Sequence, residues 1–306
     1  MDASELRYDD LVDRVEVLYN DHHYRAAADL LAAERTGLEA WAAELAHVRA
    51  CMLGADGDAD GAMQVLLDAS TAGAWWAPEI LVDDDLEALQ DRPAFRELIK
   101  LSEARVADDP VPPLVALPDG QPVGVVVALH GAGQRAGHAR RDWSGVLELG
   151  YALVCVQSSR RMSPMYRTWP DPEHARADIA RALAELPAEV EHLPLIAAGF
   201  SAGGRVAIDW ALRGRPTPVA GVLAVAPALR ELPDATAEKL SPATIWIGTD
   251  DDLLAVVDGA ADQLTGFTIE RLPGLGHTFP AGFSELLARV LQRPTPEVRG
   301  ISPITR

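Results

Sequence analysis

The chain has 306 residues, of which 48% are hydrophobic and 24% charged, and its formal net charge is −19. It is long enough for two domains with real cores, and such acidity repels nucleic acid and anionic lipid, so neither is an expected partner. It contains no run of about eighteen apolar residues of the kind that spans a membrane, and the start MDASELRYDD lacks the basic and apolar regions of a secretion signal, so the expected location is cytoplasmic.

The charge is unevenly spread. Up to Asp109 there are 25 acidic and 9 basic residues, and beyond it 21 and 18, so the acid excess belongs to the N-terminal part. That part is helical by pattern. Residues 5–20 place Leu11, Val15 and Leu18 on one face, and residues 24–33 and 38–53 continue with alanine and leucine at helical spacing. Tyr24, Ala27, Leu30 and Leu31 recur 36 residues later as Asp60, Met63, Leu66 and Leu67, close to the tetratricopeptide period of about 34. Residues 1–107 are therefore expected to form a small helical-repeat domain of tetratricopeptide-like kind. Repeats of this sort build concave surfaces, and this acidic one is expected to dock within the chain, to bind a peptide or to pair two copies.

Asp56-Gly57-Asp58-Ala59-Asp60-Gly61 fits the first half of an EF-hand loop, but position twelve is Leu67, where calcium needs a bidentate glutamate. An acidic turn between helices is the better account. No histidine cluster has zinc spacing either, and no metal or cofactor is expected. Cys51 and Cys155 fall in different candidate domains, one in a helical and one in a strand pattern, so two free buried thiols are expected.

Asp108-Asp109-Pro110-Val111-Pro112-Pro113 marks the boundary, because prolines cannot continue a helix. We divide the chain into residues 1–107, a Pro-rich linker with a first edge segment at 108–121, a sheet domain at 122–293 and a tail at 294–306. Residues 123–129 (VGVVVAL) and 151–156 read as buried strands, and the first ends in His130-Gly131-Ala132-Gly133. Between residue 158 and residue 170 lies a loop rich in arginine, methionine and aromatics, and residues 172–186 read as a helix.

Residues 193–198 (LPLIAA) are a further buried strand, followed at once by Gly199-Phe200-Ser201-Ala202-Gly203, with helix expected over 205–213. Strand, sharp turn and helix would put Ser201 at the tip of the turn, with glycines removing side chains that would collide. A serine hydroxyl attacks only if a base takes its proton. Downstream, residues 243–248 read as a strand ending before Asp250, Asp251 and Asp252, and 267–272 as a last strand before a glycine-rich loop and His277. Each candidate thus follows the carboxyl end of a strand, where open α/β sheets collect their sites.

With His130-Gly131-Ala132-Gly133-Gln134, Gly199-Phe200-Ser201-Ala202-Gly203, Gly248-Thr249-Asp250-Asp251 and Gly276-His277, the chain from about 112 to 292 resembles the α/β-hydrolases of the carboxylesterase and dienelactone-hydrolase type. The resemblance implies a mostly parallel sheet with helices on both faces. It also implies metal-free ester hydrolysis with Ser201 as nucleophile, His277 as base and an aspartate that orients it. The family's spacing selects Asp251 among the three. It further implies an oxyanion hole from the amides of Ala132 and Ala202, with Gly133 as an alternative to the first.

His130 and Gly131 are expected beside the substrate, a small-molecule ester. Tyr166 and Trp169 are expected to wall its pocket, with Arg160 contacting a substrate carbonyl or carboxylate. The competing account of Arg135, Arg140, Arg141, Arg160, Arg161 and Arg167 is docking against the acidic helical domain. A peptidase or amidase would use the same catalytic residues, and a hydrolase-fold scaffold without activity is the third reading.

Overall fold

The structure is a computed structural model that describes residues 3–292. The tail assigned to 294–306, and the last residue of the 122–293 segment, lie outside the described residues. The chain forms two compact units, and a single cut does not separate them. Among the described residues, one holds 3–111 together with 132–135 and 158–174; the other holds 112–131, 136–157 and 175–292.

The first unit is built on α1 (Ala3–Asn20), α2 (Tyr24–Ala33), α3 (Ala42–Ala55), α4 (Ala59–Thr71), the short α5 (Pro78–Leu81) and α6 (Glu87–Gln90), and α7 (Pro93–Glu103). The faces that the 3.6-residue period picks out are the ones that bury: Leu11 and Val15 of α1, Leu31 of α2 and Leu66 of α4 join one core with Trp41 and Phe95. Each such side chain contributes about 1.5–3 kcal/mol on leaving water. The acidic turn before α4 is held by cations from elsewhere. Arg25 reaches Asp56 at 2.7 Å and Asp58 at 3.0 Å, and Arg92 reaches Asp60 at 2.6 Å. Asp58 also caps α4 by accepting the Gly61 amide at 2.9 Å, as a helix start with open amides favours.

The arginine-rich loop belongs to this same unit. Arg160 pairs with Asp108 at 3.4 Å, Arg161 donates to the Ala107 carbonyl and covers the Trp75 ring, and Arg167 pairs with Asp109 and donates to the Ser158 carbonyl. Arg135 pairs with the buried Glu5 at 2.7 Å and lies over Trp41. Glu44 of α3 is buried as well, and its Oε1 accepts from the Ser163 hydroxyl and the Met165 amide, both at 2.6 Å.

The second unit is a seven-stranded sheet of β1 (Leu114–Ala116), β2 (Gly124–Leu129), β3 (Tyr151–Val156), β4 (Leu195–Phe200), β5 (Gly221–Val225), β6 (Ala243–Gly248) and β7 (Thr268–Leu272). The order is β1-β3-β2-β4-β5-β6-β7, with β1 antiparallel to β3 and every other pair parallel. The remaining helices are α8 (Ala136–Asp142), α9 (Gly145–Glu148), α10 (Pro172–Ala184), α11 (Ser201–Arg213), α12 (Leu254–Gly259) and α13 (Phe283–Leu291). Every residue of β2, β5 and β6 is buried, which a strand achieves only when both faces of its sheet are covered.

Helices α8, α9 and α13 were not predicted, and the sheet differs from the sequence reading around the serine. Strand β5 was not predicted, and β4 runs on through Gly199 and Phe200 so that α11 begins at Ser201 rather than at Arg205. The glycines that look like a loop are the first turn of the helix. The chain order reverses between β2 and β4, the switch point at which open α/β sheets form a crevice past the strand ends. Among the described residues no helix is long and apolar enough to cross a membrane.

Candidate active site

Ser201 stands between β4 and α11 with φ of 51°, a left-handed conformation that a residue with a side chain adopts only when its surroundings force it. The forcing is visible at the glycines. A Cβ at Gly199 would lie 2.3 Å from the Gly203 carbonyl oxygen, and one at Gly203 would lie 2.3 Å from that of Leu129. Strand β4, helix α11 and the end of β2 pass too close for any side chain there, and the serine is thrust outward.

Asp251 follows β6 with its side chain wholly buried. Its Oδ1 accepts the Leu253 amide at 2.8 Å, and its Oδ2 lies 2.9 Å from Nδ1 of His277. Asp250 and Asp252 are exposed, and Asp250 accepts from the Thr249 hydroxyl at 3.0 Å. Of the three adjacent aspartates, Asp251 is therefore the one that meets the imidazole. Nε2 of His277 lies 3.0 Å from the Ser201 hydroxyl oxygen. A carboxylate only accepts, so Nδ1 carries the proton and Nε2 is left to accept from the serine. A hydroxyl, a neutral imidazole and a buried carboxylate in this order can pass a proton off the serine as it attacks and stabilise the imidazolium that results.

The His277 loop is braced from β6. The Asp250 amide donates to the Leu275 carbonyl at 3.0 Å, and the Gly274 amide donates to the Thr249 hydroxyl at 2.8 Å. Gly248 makes room for this: a Cβ on it would sit 1.9 Å from the Leu275 carbonyl oxygen. Phe200, the first free position of the serine motif, packs on the imidazole with ring centroids 4.9 Å apart, and Phe279 packs on Phe200 at 5.0 Å. Phe279 was not singled out in the sequence, and Phe200 and Thr249 were quoted only as motif positions without a role. An aromatic inside G-x-S-x-G and another two residues past the histidine were the available signals.

Ala202 is buried in the first turn of α11, whose opening amides have no carbonyl one turn back and sit at the positive end of the helix. Ala132 is exposed in the turn after β2. The Gly133 amide, the alternative donor, gives its proton to the Arg167 carbonyl at 2.9 Å and is occupied.

The structure places the residues expected beside the substrate in differing surroundings. His130 is buried in the turn after β2 and donates from Nδ1 to the Gly131 carbonyl at 2.7 Å, and Gly131 is buried too. Trp169 is 2% exposed. Arg160 pairs with Asp108 at 3.4 Å. Tyr166 is half-buried, with its ring against Gly133 and its phenol pushed up by burial. Arg140 and Arg141 lie on α8 of the sheet unit, and Arg141 pairs there with its neighbour Asp142. Cys51 and Cys155 are free and buried, and burial pushes both thiols far up. Among the described residues no group of three or more His, Cys, Asp or Glu side chains is arranged to hold a metal ion.

Residues 7–109 match the family described as A/B hydrolase-like, N-terminal domain, and residues 120–250 match the family described as serine aminopeptidase, S33. The second match stops short of Asp251 and His277. Among solved structures, the chain is similar to an uncharacterized protein from Bacillus cereus ATCC 10987, at 21% identity over 93% of this chain and 97% of that one, with a TM-score of 0.49. It is similar to esterase PE8 at 18% identity over 61% and 98%, TM-score 0.48, and to a dienelactone hydrolase from Anabaena variabilis ATCC 29413 at 20% over 61% and 97%, TM-score 0.47. No curated protein matches the chain. The sheet order, its helices and the two matched segments make this an α/β-hydrolase fold preceded by an all-helical region.

Proposed function

We propose that the chain is a serine hydrolase that cleaves carboxylic esters of small molecules through Ser201, His277 and Asp251. The observation that carries this reading is the unbroken relay from hydroxyl to imidazole to buried carboxylate, at 3.0 and 2.9 Å. Ser201 attacks the ester carbonyl while Nε2 of His277 takes its proton. The new oxyanion is met by the Ala202 amide at the start of α11. The imidazolium then protonates the departing alcohol as the carbon–oxygen bond breaks and the acyl group stays on Ser201. Water, deprotonated by the same histidine, attacks the acyl-enzyme and releases the acid and the free serine. Asp251 holds the imidazole in the tautomer and orientation that both halves require.

Within the same reading the α2, α3 and α4 helices form a tetratricopeptide-like array, since the apolar pattern of α2 recurs in α4. A fluorophosphonate probe should label Ser201 alone. Ser201→Ala should abolish labelling and lower turnover of p-nitrophenyl esters by at least about a thousandfold. Absence of both label and turnover in the wild-type chain would overturn the proposal. Amide cleavage is the second reading, favoured by the match of residues 120–250 to a family described as a serine aminopeptidase. Comparing an ester and an anilide of the same acyl group separates the two, since the aminopeptidase reading requires measurable turnover of the anilide as well as of the ester.

A further inference from the structure

The helical unit contains a concave cavity of about 440 Å³ that the proposed chemistry does not use. One wall is a face of α3, where Ala42, Leu45, Ala46 and Arg49 follow one another at helical spacing over about 10 Å. Leu31 of α2 and Val65 and Ala69 of α4 close the sides. The volume lies in the small-molecule range of about 300–1,000 Å³, and the lining is predominantly apolar, as such sites are.

The cations of this unit identify the ligand. In the acidic segment up to Asp109, nine basic residues face 25 acidic ones, so each cation has carboxylates to choose from. Arg14, Arg25, Arg92, Arg96 and Lys100 do pair with carboxylates. Arg7 and Arg105 donate to backbone carbonyls. Arg35 and Arg49 are the two whose side chains have no hydrogen bond or ion pair among the described residues, and both line this cavity. Nε of Arg49 is buried without an acceptor, so among the described residues no carboxylate or carbonyl fixes this guanidinium. The cavity's own acids do not supply it: Glu39 accepts from the Gly37 amide at 2.9 Å and Asp68 from the Gln64 amide group at 2.6 Å.

We propose that this cavity binds a small amphipathic carboxylate, with an aliphatic body on the Leu, Val and Ala walls and its carboxylate on Arg49 and Arg35. Guanidinium groups suit a planar two-oxygen anion, and an apolar floor suits a hydrocarbon. The chain's own residues 293–306 are the wrong occupant by charge, because they carry three arginines and a single glutamate. The proposal does not rest on the ester-cleaving reading.

The test is calorimetric titration of the full chain with octanoate, with 1-octanol and octylammonium as neutral and cationic controls. Octanoate should bind with Kd below about 1 mM, and each control at least about tenfold more weakly. Arg49→Gln and Arg35→Gln should each weaken octanoate about tenfold, the worth of a charge-assisted hydrogen bond. Ala69→Trp, or Ala46→Leu should the larger side chain disturb folding, fills the cavity and should abolish binding. Circular dichroism identical to wild type is required of the cavity-filling variant that is used. The proposal fails if octanoate does not bind, if it binds the arginine and cavity-filling variants as well as wild type, or if octylammonium binds as tightly. It also fails if the free protein is a dimer that the cavity-filling variant dissociates, since a second copy would then be the occupant.

Discussion

Replacing Asp251 by Asn tests the relay most sharply, because it changes a proton count and almost no volume. In the native arrangement the carboxylate accepts at both oxygens, from the Leu253 amide at 2.8 Å and from Nδ1 of His277 at 2.9 Å. An asparagine can keep the Leu253 bond only by turning its oxygen to that amide, which aims its NH2 at Nδ1. The imidazole must then accept at Nδ1 and carry its proton on Nε2, the nitrogen 3.0 Å from the serine hydroxyl. A base that already holds a proton cannot take another, and the imidazolium formed in the transition state loses its counter-charge. Both effects fall on the chemical step, so kcat should drop about ten-thousandfold, or about 5 kcal/mol, with KM little changed. Steady-state hydrolysis of p-nitrophenyl acetate measures this, and thermal unfolding checks that the variant is intact. Asp250→Asn and Asp252→Asn, at exposed positions, should stay within about twofold of wild type. If Asp251→Asn stayed within tenfold of wild type, or if Asp250→Asn lost as much, the relay would not be the catalytic device.

Gly248→Ala should displace the Leu275 carbonyl, which a Cβ would approach to 1.9 Å, and with it the loop that carries His277. An expected misplacement near 1 Å lowers kcat by about a hundredfold, and unchanged turnover would show that the loop relaxes freely. Glu44→Ala leaves the Ser163 hydroxyl and the Met165 amide without their buried acceptor and should cost the helical unit about 3 kcal/mol in urea unfolding, with Glu44→Gln losing less. His47 donates from Nε2 to the Ile80 carbonyl at 2.6 Å and its pKa is lowered, chiefly by burial. The folded chain keeps it neutral while the unfolded chain protonates it below about 6.5. Its contribution is therefore present above that pH and lost as pH falls through the folded value. His47→Gln should flatten the acid limb of stability below pH 6.5, and an unchanged limb would assign it to other groups. Neither Cys51 nor Cys155 should react with a thiol reagent at pH 8 in the native protein, since burial keeps both protonated, and two thiols should react after unfolding.

Much of the site was legible because its constraints are local. The close approach of β4 and α11 demands glycine at 199 and 203, and that demand is written in the chain as G-x-S-x-G whatever surrounds it. The order of serine, acid and histidine follows from which strand ends lie beside one another, and apolar runs reveal those strands. Choosing among Asp250, Asp251 and Asp252 rested on the family's spacing, because three carboxylates differ only in which one the chain turns inward. Strand β5 escaped because VLAV after Gly221 is too short for periodicity to separate a buried strand from part of a helix. The start of α11 was placed late for a related reason: glycines signal a loop, and only packing makes them a first turn.

The arginines of residues 158–170 show where sequence reasoning runs out. Composition marks the segment as suited both to anion recognition and to docking on acid, and nothing local decides between them. The partners decide, and they lie far away along the chain. Asp108 meets Arg160 from 52 residues back, and the Glu44 carboxylate reaches Ser163 from 119 residues back. A charged side chain pairs with whichever opposite charge the fold leaves nearest and least hydrated, so its partner is a property of the tertiary structure rather than of the motif. The same logic gives Arg35 and Arg49 their weight. In a segment where carboxylates outnumber cations so heavily, a cation left without one marks a place where the fold holds charge in reserve, and the apolar walls around these two say what kind of molecule fits there.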